Sequence, residues 1–178
     1  MPRPLSLPAA LLTLVWLLTG DHTSAQEHPA PQSLKDLSRL GWDELECLYR
    51  AAPPGPVPEG YTRGLALYDR DRPLARPRAG VSRVLWHGKH FDPCTGMMVN
   101  QWLGLRAVHA RVCYGPSWLD GGPSVVMDYR GTARVWGNVR DEVREVAPGL
   151  YLGIMFRDKG GRHCPQTFFG LEACRCAP

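Results

Sequence analysis

Hydrophobic and polar positions in the second half of the chain fall into short apolar-rich runs separated by tight-turn sequences. The runs cover residues 103–114, 124–129, 134–146, 150–157 and 166–173, and are rich in β-branched and aromatic side chains, which suit a pleated, half-buried surface. Between them stand Asp120-Gly121-Gly122, Arg130-Gly131-Thr132, Pro148-Gly149 and Lys159-Gly160-Gly161, residues that accept the backbone dihedrals of tight turns. The pattern predicts an antiparallel meander. Two further strands are expected at residues 61–69 and 81–86, with residues 91–100 as a turn-containing feed into the next run. Seven or eight strands joined serially favour an up-and-down barrel, because closure leaves no unpaired edge. The fold class expected is therefore mainly β, with an N-terminal helical segment.

That helical segment is residues 33–52. Ser33 can cap with Asp36 three residues on, and Leu34, Leu37, Leu40, Leu45, Leu48 and Tyr49 form an apolar face interrupted at Gly41, so one long helix and two short ones are both compatible. Residues 53–60 hold four prolines and form an extended connector.

Residues 1–25 have the pattern of a secretory signal: Arg3, an apolar block over residues 9–19, and the small-residue exit Thr23-Ser24-Ala25. The block is too short for a bilayer span, which needs ~20 residues. The expected organisation is a signal peptide over 1–25, a helical lead-in and connector over 26–60, and a barrel over 61–178, in an exported protein, periplasmic or extracellular, without a membrane span. Six cysteines, Cys47, Cys94, Cys113, Cys164, Cys174 and Cys176, then favour disulfides, with Cys174 or Cys176 able to reach Cys164 across the last hairpin. Histidines lie near cysteines at His87, His90 and Cys94, but without the C-x-x-C spacing of a structural zinc site, and no metal is expected. The net charge is +4, with arginines interleaved with acids as in residues 140–145, whereas a nucleic-acid binder would show a clustered basic stripe. A loop at residues 70–80 carries Arg70, Arg72, Arg76 and Arg78 and reads as a solvated segment.

Several motifs carry a resemblance: Trp86-x-Gly88-Lys89 with Phe91-Asp92, Ser117-Trp118-Leu119-Asp120-Gly121 leading to Val125-Val126-Met127-Asp128-Tyr129, the charged run at residues 139–146, and Pro148-Gly149-Leu150-Tyr151-Leu152-Gly153. Over residues 43–173 the chain resembles an uncharacterised family of bacterial exported proteins similar to the lipocalin-like, or calycin, barrels. The resemblance implies a barrel that binds a small molecule. A related haem-binding group carries a Gly-x-Trp-x-Gly entry motif and a histidine ligand; here Val84 replaces the first glycine and the run at residues 166–173 has no histidine, so no cofactor is expected.

The charged run is the leading candidate site. Alternation along a strand puts Arg140, Glu142 and Arg144 on one face and Asp141, Val143 and Glu145 on the other. If the arginine face points inward, Arg140 can grip the anionic head of an apolar or amphipathic ligand bidentately, with Asp128 or Glu172 as its partner. The alternative is that both faces are solvated cross-strand ion pairs. Tyr129, Trp136, Tyr151 and Phe168 are the expected aromatic lining. No nucleophile elbow, metal-binding helix or phosphate loop is present in the sequence. A binding barrel is the preferred reading. A barrel enzyme using Asp128, Glu142 and His109 for acid/base work is the runner-up, and a structural or protein-interaction module the third.

Overall fold

The structure is a computed structural model that describes residues 30–68 and 85–174. The expected signal peptide, the arginine-rich loop and Cys176 lie outside the described residues.

Two short helices lead in. Helix α1 (Leu34–Leu37) is capped by Ser33, whose Oγ accepts from the Asp36 N–H at 3.2 Å and donates to Asp36 Oδ2 at 2.7 Å. Helix α2 (Trp42–Ala51) starts afresh at Gly41, whose N–H donates to Glu44 Oε2 at 2.7 Å. Gly41 thus divides the apolar segment into two helices.

Eight antiparallel strands follow: β1 (Gly60–Leu67), β2 (Trp86–Asp92), β3 (Met97–Trp102), β4 (Leu105–Pro116), β5 (Pro123–Asp128), β6 (Val139–Ala147), β7 (Leu150–Asp158) and β8 (His163–Ala173). Each pairs with its sequence neighbour, and β8 pairs back onto β1 from Thr62↔Ala173 to Leu67↔Phe168, which closes the barrel. Strand alternation sorts the apolar residues into two cores. Tyr151 and Met155 of β7, with Phe91, Met98, Ala110, Val125, Met127, Val143, Phe169 and Leu171, face the lumen. Leu150, Leu152, Ile154 and Phe156 of β7, with Leu67 and Phe168, point outward and are covered by Leu34, Leu37, Leu45 and Tyr49 of the helices. Gly153 is glycine because the Phe169 ring fills the lumen over it; a Cβ there would lie 2.3 Å from Phe169 Cζ.

The strands depart from the sequence pattern in four places. Residues 81–84 of the strand expected at 81–86 lie outside the described residues; β2 begins at Trp86, and its end and most of β3 lie in the segment expected to be a turn-containing feed. The 103–114 run is split from it by a turn at Leu103-Gly104, both with positive φ. Residues 134–136 form a 3-10 turn before β6 starts at Val139. Strand β8 starts earlier than expected, at His163, which is exposed and stacks on Trp118 with ring centroids 3.6 Å apart.

The disulfide expectation needs correction: Cys47, Cys94, Cys113, Cys164 and Cys174 are all free thiols. Cys164 and Cys174 cannot meet across a hairpin because Cys164 stands near the start of β8 and Cys174 directly follows its end, about 33 Å away at the rise of an extended chain. Among the described residues, no helix is long and apolar enough to cross a membrane.

Candidate functional site

The lumen is solid at one end and hollow at the other. The hollow end is the one bearing the β3–β4, β5–β6 and β7–β8 connections, and holds a cavity of about 210 Å³. Its walls are Trp86, Trp102, Val108, Trp136, Val139, Met155 and Phe169, its inner surface carries Lys89, Asn100, Tyr129 and Asp141, and Arg157 also lines it.

Two irregularities in strand pairing build the polar part. The register shifts between Trp86 and Gly88, so Trp86 and Lys89, three positions apart, both face the lumen. Gly88 has φ +140°, and a Cβ on it would sit 2.0 Å from the Thr62 carbonyl oxygen, so only glycine fits. The second shift lies between Val99 and Asn100, opposite Val108, which is left as the extra residue with φ +66°. A β-branched residue in the left-handed region is strained by about 1–3 kcal/mol. The bulge presents the Val108 carbonyl to Asn100 Nδ2, which donates to it at 3.1 Å.

Lys89 is the hub. Its ammonium donates to Asn100 Oδ1 at 2.8 Å, Tyr129 Oη at 3.0 Å and Asp141 Oδ2 at 2.8 Å, and it is 2% exposed. Tyr129 donates to Asp141 Oδ2 at 2.8 Å, Asn100 Nδ2 lies 3.0 Å from Tyr129 Oη, and the Trp86 indole N–H donates to Asn100 Oδ1 at 3.1 Å. Burial pushes the Lys89 ammonium below its ordinary pKa, and the Asp141 carboxylate opposes that shift. Burial, reinforced by Asp141, pushes the Tyr129 phenol well above its usual value, so it stays protonated as a donor.

One pair of charges therefore cancels inside the barrel, and all three ammonium protons are used. Two residues of the cavity lining each keep a polar atom left over: Asp141 its Oδ1, an acceptor, and Trp102 its Nε1, a donor. Both atoms are buried without a hydrogen-bond partner among the described residues. Asp141 as a residue is only 5% exposed, so its second oxygen has lost water without gaining a protein donor, a cost of about 1–3 kcal/mol or more for a charged group.

The residues singled out from sequence divide between the two faces of the barrel wall. Tyr129 and Trp136 line the cavity, and Tyr151 faces the lumen in its solid half. Arg140, Glu142 and Arg144 do share a face, but it is the outer one, covered by α2 and the β4–β5 turn. Glu142 pairs with Arg140 Nε at 2.8 Å and accepts from the Tyr49 hydroxyl at 3.2 Å and the Trp118 N–H at 2.9 Å. Arg144 grips Asp120 through both terminal nitrogens, at 2.7 and 2.9 Å, and donates to the Tyr49 carbonyl at 3.0 Å. The cluster fastens a helix and a turn to the barrel wall, so Arg140 does not point inside the barrel as expected, and the charged pair facing the lumen is Lys89 with Asp141. Asp128 pairs with Arg130 at 2.7 Å and Glu172 with Arg63, so neither holds Arg140. Phe168 packs outward, 4.7 Å from the Trp42 ring. Asp128, Glu142 and the exposed His109 do not form an acid/base site: Glu142 is sealed beneath Tyr49 and Trp118, and Asp128 is paired with Arg130.

Lys89, Asn100, Asp141, Val108 and Arg157 were not legible as site residues. A signal was available for Asp141. Val139 and Val143 flank it on its face of β6, whereas every residue from 140 to 144 on the other face is charged. An apolar lumen selects the valine-flanked face.

No protein-family model matches the chain, and no curated protein matches it. Among solved structures, a crystal structure of a protein from Thermomonospora curvata superposes with a TM-score of 0.54 at 23% sequence identity, over 76% of this chain and 89% of that one. At that identity the likeness bears on the fold alone.

Proposed function

We propose that this protein is a small-molecule binding barrel whose lumen takes a mostly apolar, ring-sized ligand carrying one hydrogen-bond donor directed at Asp141. The observation that carries the reading is the unpaired, buried Oδ1 of Asp141, a residue of a cavity lined mostly by aromatic and aliphatic side chains. A cavity of about 210 Å³ is of the size that accepts one or two rings, since an apolar cavity of about 150 Å³ takes up benzene. The indoles of Trp86, Trp102 and Trp136 supply flat apolar surface, and Trp102 Nε1 offers a donor to any acceptor on the ligand.

The same geometry disfavours an anionic head at the inner end. A carboxylate has nothing to donate and would face the Asp141 carboxylate, while the Lys89 protons are already committed. An anionic group fits only where Arg157 lines the cavity, with its guanidinium 5.9 Å from the Trp136 ring centroid. Carriage of such a ligand outside the cytoplasm, with the first 25 residues acting as an export signal, completes the proposal.

The test is a matched series followed by tryptophan fluorescence and native mass spectrometry: 2-naphthol, 2-methoxynaphthalene and 2-naphthoate. The naphthol should bind at least tenfold more tightly than the ether, which lacks the donor, and the naphthoate should bind least. Equal affinity for the three, or none for any, would refute a donor-selective lumen.

A further inference from the structure

We propose that the open end of the barrel docks on an anionic lipid surface, with Leu103, Leu105 and Val135 as the apolar tips that enter it. The surface argument does not depend on whether the lumen holds a ligand. Among the described residues, the large apolar side chains in solvent are Leu103 at 60% exposure, Leu105 at 71%, Val135 at 84% and Tyr114 at 57%. Tyr114 has an attachment, its hydroxyl donating to the Gly55 carbonyl at 3.1 Å. The other three belong to the β3–β4 turn and the β5–β6 connection, at one end of the barrel. They flank Trp102 and Trp136, whose rings are 6.3 Å apart on the cavity lining, so the tips rim the mouth.

Charge selects the partner. Arg106 and Arg134 adjoin the tips in sequence, and Lys159 and Arg162 lie on the β7–β8 connection at the same end. All four are exposed and have no ion-pair partner among the described residues. Of the acids described at this end, Asp128 is neutralised by Arg130 and only Asp158, which accepts from the Gly161 N–H at 2.7 Å, keeps its charge against those four cations. The opposite end, where β1 begins beside the end of β2, presents Glu59 and Asp92 to solvent. A protein with apolar tips inside a basic ring at one end and acids at the other is oriented by a negative bilayer surface, mouth down. An apolar molecule dissolved in that bilayer then reaches the lumen without crossing water.

Vesicle flotation of the full protein tests this, comparing phosphatidylcholine alone with phosphatidylcholine containing phosphatidylglycerol. The expected result is flotation with the anionic vesicles that weakens as salt is raised. Replacing Arg134 and Lys159 with glutamate should reduce partition by about fivefold or more for each residue. A variant with Leu103→Asn, Leu105→Ser and Val135→Ser should lose at least tenfold in partition while keeping its circular dichroism and its naphthol affinity; asparagine suits the positive φ at position 103. No flotation with anionic vesicles, or equal flotation of the triple variant, overturns the proposal. So does a concentration-dependent dimer in lipid-free solution that the triple variant abolishes, which would assign the tips to a second copy of this chain. Loss of naphthol binding with vesicle binding intact would remove the lumen reading and leave the docking surface standing.

Discussion

Replacing Asp141 with leucine removes the counter-ion of a lysine that is 2% exposed, and the cost of that change is bounded from both sides. Breaking a buried pair from one side costs about 3–5 kcal/mol, because the remaining charge has neither water nor partner. The cost cannot grow without limit, since Lys89 can enter the folded state without its proton. Discharging an ordinary lysine at pH 7 costs about 4–5 kcal/mol, at about 1.4 kcal/mol per pH unit. The two figures agree. They also give the variant a signature: once Lys89 is neutral when folded and charged when unfolded, the unfolded state binds the extra proton, so stability rises with pH. Urea unfolding of Asp141→Leu between pH 7 and 9 should therefore show a midpoint about 2 M below wild type at pH 7, recovering by about 1.4 kcal/mol for each pH unit. Adding Lys89→Met should restore most of the loss and abolish the slope, since an apolar pair of similar volume often replaces a buried ion pair without penalty. A loss under about 1 kcal/mol, or a loss independent of pH, would refute the claim that the two charges neutralise each other in the lumen.

Three further outcomes follow from the same geometry. Tyr49, Tyr129 and Tyr151 all have pKa values raised chiefly by burial, that of Tyr151 to about 12. The folded state then holds protons that the unfolded state sheds above about pH 10, so stability should be complete below pH 10 and fall as pH rises beyond it, with tyrosinate absorbance of these groups appearing only on unfolding. Lys89, with its lowered value, pulls the other way only below its unfolded pKa. Gly153→Ala should cost about 1–3 kcal/mol in thermal unfolding, because the added carbon meets the rigid Phe169 ring rather than a flexible chain end. Arg140→Ala should cost about 3 kcal/mol by leaving Glu142 underpaired beneath α2, yet leave naphthol affinity unchanged in fluorescence titration; a fall in affinity would return Arg140 to the lumen.

The barrel was legible because turn chemistry is local: glycine at 121, 131, 149 and 160 takes positive φ, as the sequence required. The β2–β3 hairpin was obscured for the same reason that it carries the site. Trp86-His87-Gly88-Lys89-His90 is largely polar with a bulge in it, so its lumen-facing positions, Trp86 and Lys89, are neither both apolar nor two residues apart. The outward face of β6 shows the converse error. Arg140, Glu142 and Arg144 were open to reading as an interior charge cluster because neither face of the run is simply apolar, but their partners Asp120, Tyr49 and Trp118 lie 20 or more residues away in sequence and meet them only when α2 and the β4–β5 turn fold over the wall. Pairing of that kind leaves no periodic trace.

The seam between β1 and β8 also sets an order of events for a growing chain. Leu67 meets Phe168, and Leu34 and Leu37 press on Gly170, so the first elements synthesised wait for the last. Until residue 173 has been made, β1 and β7 each present a bare edge, and the helices have only part of their bed. Contacts of such long span make closure the slow step of folding and leave a template for strand pairing between molecules while it lasts. A chain stopped short of β8 would show this as aggregation, because its two exposed edges can satisfy in a neighbour what they cannot satisfy in themselves.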